Sequence, residues 1–280
     1  MHLQHIVVAT DESEAGRQAV RAGLELARRA SARLTVMRAV PVRAVPLMGA
    51  MATPSDAGEL DAAGTALDAL QRWLAAGVIP ASETVPVALG IAFGVPGIEI
   101  CRFAEQRGAD LLVLGRKHRS AMARLLVGDT ADAVVRRCRV PCLFVQPGSD
   151  PIREVLVALD GSERGMSVLT TAGSFARAIG ATVRAVTVEE DEVSVEPATV
   201  VPLTRSSQLE RKVASMTVTD QLTIRHGPIV RELLAEAADG RADVLAFGYH
   251  RGGPPGIIEG SSTGRQLAHV APVSVLAIPL

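Results

Sequence analysis

Aromatic side chains are scarce in this 280-residue chain: one Trp, one Tyr and five Phe amount to 2% of it. Any core must therefore be built from Val, Leu, Ile and Ala, which dominate a 48% hydrophobic content typical of a soluble globular protein. So few rings also argue against base stacking as a binding mode. An excess of charge of either sign is missing too, with 29 Lys and Arg against 30 Asp and Glu and a net charge of −1. That balance gives no electrostatic footprint for nucleic acid or for an anionic membrane, and neither is expected as a partner. The apolar runs are too short to cross a bilayer. Met1-His2-Leu3-Gln4-His5 leads straight into a strand-like run, without the basic region or cleavage site of a secretory leader. Cysteine is sparse and odd in number: Cys101, Cys138 and Cys142. Cys138 and Cys142 are four residues apart, but no second Cys/His pair completes a metal site. Buried structural thiols in a reducing cytoplasm are the expectation.

What is present is a repeat. Ile6-Val7-Val8-Ala9-Thr10-Asp11-Glu12-Ser13 matches Val155-Leu156-Val157-Ala158-Leu159-Asp160-Gly161-Ser162. Each is an apolar run of strand length ending in Asp-x-Ser. Helical periodicity follows in both halves: Ala19, Ala22, Gly23, Leu26 and Ala27 mark one buried face, and Leu169, Ala172, Gly173 and Ala176 mark the other. Second strands are predicted over 33–40 and 182–188. Ala109–Gly115 aligns residue for residue with Ala242–Gly248, and each half closes on a proline-introduced strand, 140–145 and 271–276. The linker Gln146-Pro147-Gly148-Ser149-Asp150-Pro151 divides the chain into domains of residues 1–147 and 152–280.

Continuous apolar strands alternating with helices predict an α/β fold. Each half reads β-α-β-α-β-α-β-α-β, which implies two repeated, doubly wound, five-stranded parallel sheets with right-handed crossovers. The offset between halves shrinks from 149 at Asp11/Asp160 to 133 at Gly115/Gly248. The 16 residues lost predict a shortened second helix and an acidic loop within Glu189–Ser215. Glu189-Glu190-Asp191-Glu192 reads as solvated loop, Arg28-Arg29 and Arg136-Arg137 as helix ends where cations suit the dipole. Leu67, Leu70, Trp73 and Leu74 have the spacing of a packed helix face.

Ligands of open parallel sheets bind at the carboxyl ends of the strands. Three places qualify in each half: the Asp after the first strand, the backbone after the second, and the Gly-rich loop after the fourth. Asp11 and Asp160 offer acceptors to ribose hydroxyls, or serve simply as turn and cap residues. The second half's loop runs from Gly248 through Tyr249-His250-Arg251-Gly252-Gly253-Pro254-Pro255-Gly256 to Gly260-Ser261-Ser262-Thr263 and then becomes helical. Its glycines allow close approach to phosphate oxygens, and the helix start favours an anion. A flexible loop with a plain serine cap is the alternative. In the first half Arg116-Lys117-His118-Arg119 offers positive charge, but Asp129 follows Gly128 and sets a carboxylate where an anion would rest.

With these residues the chain resembles the universal stress protein family, in two copies that cover essentially all of it. The resemblance implies a Rossmann-like fold of the adenine nucleotide alpha hydrolase type, a loop G-x2-G-x9-G-[ST] that holds ATP, and pairing through the fifth strand, within one chain in tandem members. Gly115 and Gly128 have the required spacing of 13, yet His118 replaces the second glycine and Asp129 the final Ser/Thr. In the second half Gly260-Ser261 is intact, although Gly248 precedes it by 12, Arg251 stands where glycine is expected, and Gly252 is the substitute. Asp160-Gly161-Ser162 also fits the family better than Asp11-Glu12-Ser13 does.

The nucleotide is therefore expected in the second half, on Asp160, Gly161, Gly248, Arg251, Gly252, Gly260, Ser261, Ser262 and Thr263, with Val186, Thr187 or Val188 offering backbone to adenine. The implied role is a cytoplasmic stress-response regulator sensing ATP, with or without Mg2+. A nucleotide-free protein acting through partner docking is the alternative, and a homodimer of the two-domain chain is compatible with both. An enzyme finds less support: no loop ends in the Lys-Ser/Thr of a Walker P-loop, and no nucleophile elbow occurs. His118, His226 and His250 are candidates for general acid–base work, although a lone loop histidine is more often a solvated surface residue. An ATPase or a nucleotidyl-transferring relative is the enzyme these would suit, and slow ATP hydrolysis stays open.

Overall fold

The computed structural model describes residues 2–41, 56–116, 129–148, 151–190, 205–219, 221–249 and 262–280. The first half runs β1 (His5–Ala9), α1 (Glu14–Ala30), β2 (Arg33–Val40), α2 (Asp56–Ala75), β3 (Val87–Phe93), α3 (Pro96–Gln106), β4 (Leu111–Gly115), α4 (Asp129–Arg137), β5 (Cys142–Val145). The second repeats it as β6 (Glu154–Leu159), α5 (Glu163–Ala178), β7 (Thr182–Glu189), α6 (Arg205–Ser215), β8 (Leu222–His226), α7 (Ile229–Asp239), β9 (Val244–Tyr249), α8 (Ser262–Val270), β10 (Ser274–Pro279).

All ten strands form one sheet in the order β3-β2-β1-β4-β5-β10-β9-β6-β7-β8. Each half is the doubly wound parallel sheet that the alternation predicts. Successive side chains point to opposite faces, so Ile6 and Val8 pack on one side and Val7 and Ala9 on the other. One face is covered by α1, α2, α5 and α6, the other by α3, α4, α7 and α8. Burial on both sides is why these strands read as unbroken apolar runs. Burying each large aliphatic side chain contributes roughly 1.5–3 kcal/mol, enough for such a layer to stand without aromatics. Among the described residues, Phe175 is the only aromatic in the set of largest fully buried side chains.

The first helix starts the same way twice. Ser13 and Ser162 each accept a hydrogen bond from the backbone N–H three residues on, at Gly16 (3.3 Å) and Gly165 (3.0 Å). The faces read from periodicity are buried as expected, and so are all three cysteines. Helix α6 has 11 residues where α2 has 20, matching the shortening deduced from the offset. Two details differ. Glu189 is not loop but the last residue of β7, in register with His226, and Asp191 and Glu192 lie outside the described residues. Leu67 is 36% exposed, so the packed face of α2 is Leu70 and Leu74, with Trp73 lying half-buried beneath Arg17. Among the described residues no helix is long and apolar enough to cross a membrane.

The halves meet where β5 and β10 pair antiparallel, Phe144 opposite Val275 and Leu143 opposite Leu276. Arg116 and Tyr249 are among the side chains that clip this seam. Arg116 donates to His269 O, Ala271 O and Val273 O, each at 2.9 Å. Tyr249 Oη, from the matching position after the fourth strand's glycine, donates to Cys138 O at 2.8 Å. Each half thus grips the backbone at or just past the end of the other's last helix. Burial alone depresses the Arg116 pKa below its ordinary value, so the three carbonyl dipoles are what keeps its charge tolerable. We expect Arg116→Met to cost about 2–4 kcal/mol and Tyr249→Phe about 1 kcal/mol, read as lowered urea midpoints. Unchanged midpoints in both would show that the clips contribute nothing.

Candidate functional site

Parallel pairing directs the N–H and C=O of alternate residues to opposite edges of a strand. In β2 the odd residues face β1: Arg33 N donates to Gln4 O, and Met37 O accepts from Thr10 N. The even ones face β3, as Val40 O accepting from Gly94 N shows. Strand β1 stops at Ala9, opposite Met37. Ala39 is therefore the next residue to face that side, and among the described residues no strand meets it there. In the second half, Thr182 N donates to Arg153 O and Glu189 O accepts from Gly227 N. Even residues there face β6, which ends at Leu159 opposite Thr187. Of Val186, Thr187 and Val188, only Val188 directs a carbonyl past the end of the neighbouring strand, its N–H being used in the last rung with Leu159. Val186 is spent on the ladder with β6, and Thr187 on the ladder with β8.

Beside this overhang sits the acidic turn. Asp160 Oδ1 accepts from Ser162 N at 3.0 Å and Ser162 Oγ at 2.7 Å. Asp11 Oδ1 accepts from Ser13 N at 3.1 Å and from Ser13 Oγ. Both aspartates therefore build the cap of the following helix. In Asp160 it is Oδ1 that is committed, so a ribose hydroxyl would fall to Oδ2. A methyl group on Gly165 would lie 2.5 Å from Asp160 Oδ1, and one on Gly16 would lie 2.3 Å from Thr10 Oγ1. Gly16 and Gly165 belong to the site's architecture and were not singled out from the sequence. The shared spacing Asp-x4-Gly in both halves was the signal available.

Gly115 has a structural reason beyond any phosphate. A methyl there would sit 1.9 Å from Ala15 O, so the end of β4 passes against the backbone of α1's first turn. Its counterpart Gly248 meets Val168 Cγ2 at 2.7 Å and Leu280 Cδ1 at 2.9 Å, side chains with some room to give. Beyond it, Ser262 and Thr263 are the first two residues of α8. Arg251, Gly252, Gly260 and Ser261 lie outside the described residues, as do His118, His250 and Pro254-Pro255. His226 sits at the end of β8, 3.9 Å from Glu189, away from these turns.

In the first half these features enclose a cleft of about 690 Å³ at the carboxyl end of the sheet. Thr10, Asp11, Ala39, Gly115 and Thr130 line it, and so do Arg38 and Arg116. Ala268–Pro272 of the second half contribute to its wall. Arg38, which sequence reading passed over, pairs at 2.6 Å with Glu12. Arg116, read in the sequence as a member of a basic cluster, faces the cleft while its N–H groups hold the seam through three bonds. Among the described residues no group of three or more His, Cys, Asp or Glu is placed to hold a metal ion.

Comparison with known proteins accords with the repeat. The Universal stress protein family model matches this chain twice, over residues 2–146 and 151–279. Universal stress protein MJ0531 of Methanocaldococcus jannaschii is 40% identical over 53 residues, 19% of this chain and 31% of that protein. The match thus spans about a third of that relative's length. A universal stress protein from Archaeoglobus fulgidus aligns over 100% of this chain and 99% of its own, with a TM-score of 0.72 and 18% identity. A functionally unknown protein, PA1789 from Pseudomonas aeruginosa, covers 99% of this chain and 92% of its own, with a TM-score of 0.62 and 15% identity. At such identities the two structures speak for the fold alone.

The aspartate's two duties can be separated. Asp160→Asn keeps an Oδ1 acceptor and should leave the melting temperature nearly unchanged. Asp160→Ala removes the acceptor for two hydrogen bonds and should cost about 1–2 kcal/mol. Equal stability of the two variants in thermal melts would mean that the turn does not depend on Oδ1.

Proposed function

We propose that this chain, which belongs to the universal stress protein family, is a stress-response regulator that binds ATP, with or without Mg2+, in its second half. The observation carrying this reading is the Val188 overhang beside Asp160. The Val188 carbonyl facing past the end of β6 can accept from the amino group of an adenine, while Asp160 Oδ2 is within the same turn for a ribose. The α8 start, with Ser262 and Thr263, supplies N–H groups and hydroxyls for phosphate. The first half departs from this pattern at both ends: Glu12 stands in the turn where the second half has Gly161, and Asp129 opens α4. One nucleotide per chain follows.

Occupancy, in this reading, is a signal that changes how the protein meets its partners, and the chain is not an enzyme beyond slow hydrolysis at most. The protein works in the cytoplasm, without nucleic acid or membrane as partner, and as a homodimer if the two-domain chain pairs again. The alternative, docking without nucleotide, draws on the loop spacing of 12 instead of 13 between Gly248 and Gly260.

Calorimetric titration with Mg-ATP decides between them. We expect a stoichiometry near one, abolished by Ser261→Asp, which sets a carboxylate at the start of α8. Absence of heat at two temperatures would overturn the nucleotide reading in favour of docking alone.

A further inference from the structure

The duplication provides an internal control for the first cleft, and the two halves differ there in a paired way. Glu12 and Arg38 correspond, at the offset of 149, to Gly161 and Thr187. Glu12 adopts φ 61°, in the left-handed region where Gly161 sits at φ 76°. Glycine takes that conformation without strain, whereas a glutamate there costs free energy in every folded molecule. The backbone itself gives no reason for the substitution. What the side chain gains is Arg38: its Nη1 donates to Glu12 Oε1 at 2.6 Å, with both partners more than two-thirds buried. Thr10 Oγ1, accepting from Glu12 N at 3.0 Å, pins the turn in place.

The position of the pair gives it a consequence. Glu12 lies on the turn after β1, and Arg38 on the stretch of β2 that outruns β1. The ion pair bridges the two segments between which Ala39 directs its peptide groups, and Arg38 lines the cleft. We infer that the Glu12–Arg38 ion pair is a charged latch that closes the base-binding end of the first cleft and so restricts adenine nucleotide to the second half. This specificity assignment rests on the nucleotide reading given above. A purine laid edge-on to Ala39 must separate a pair of charges already withdrawn from water, and nothing in an adenine replaces either partner. In the second half Gly161 and Thr187 carry no such bridge, and the Val188 carbonyl stays open. Asp129 is then a second barrier, acting at the phosphate end.

The test counts Mg-ATP bound per chain by equilibrium dialysis in three proteins: the wild type, Asp129→Ser, and Asp129→Ser combined with Glu12→Gly and Arg38→Thr. The triple variant installs the residues that the second half already carries on the same backbone. A companion with Arg38→Ala in place of Arg38→Thr guards against a packing fault in β2. The latch predicts no added site in Asp129→Ser and one added site in either triple variant. A site gained by Asp129→Ser alone, or none gained by both triple variants, overturns the latch. The wild-type count reports separately on the second half: a wild type that binds none removes the nucleotide reading of that half, while a site gained in the triple variants still upholds the latch.

Discussion

A parallel strand cannot be joined to its neighbour by a tight turn, and a sheet made of such strands must be covered on both faces. In this chain that constraint dictates the helix between successive parallel strands, the two apolar layers and, within each half, the edge at which its strands end. Because crossovers return each segment of a half to the same starting edge, the turns after β1 and β4 gather at one edge of the sheet, and those after β6 and β9, in the half that runs antiparallel, at the other. The site is the gap left where β2 and β7 outrun β1 and β6. Each overhang amounts to a single residue facing the gap, Ala39 or Val188, and the turn carrying Asp11 or Asp160 stands beside it.

The exception to parallel pairing is as informative as the rule. Strands β5 and β10 run antiparallel, which relates the halves by an approximate two-fold and leaves neither with an exposed fifth strand. Arg116 and Tyr249 obey the same symmetry with different chemistry, one a guanidinium on three carbonyls, the other a phenol on one. Both stand immediately after the glycine that opens a loop, so the residues that begin each candidate ligand loop are also those that fasten the halves together. Helix α8 likewise starts at the second half's candidate phosphate position and ends at the wall of the first cleft.

Much of this was legible in the sequence because a repeat states its pattern twice. Strand limits at 33–40, the buried faces of α1 and α5, and the lost turns of α6 follow from apolar spacing and from the drift in offset. Asp11 and Asp160 were legible as turn residues since Asp-x-Ser before a helix has a local meaning. The rest was not, for reasons of distance and side-chain reach. Nothing in spacing says that Arg116 crosses the seam to residues about 155 positions away, or that Arg38 meets Glu12. Gly115 read as a phosphate glycine, yet its first duty is to let β4 pass Ala15, a contact visible only once the backbone is folded. Val188 was one of three equivalent choices until the register with β6 and β8 separated them.

Amide hydrogen exchange with and without Mg-ATP tests the central claim most directly, because it reads every segment of the site at once. The account predicts added protection over 160–165 and at the start of α8, with 10–16 and 38–41 unchanged. Protection appearing instead over 10–16 and 38–41 would place the ligand in the first half and contradict it.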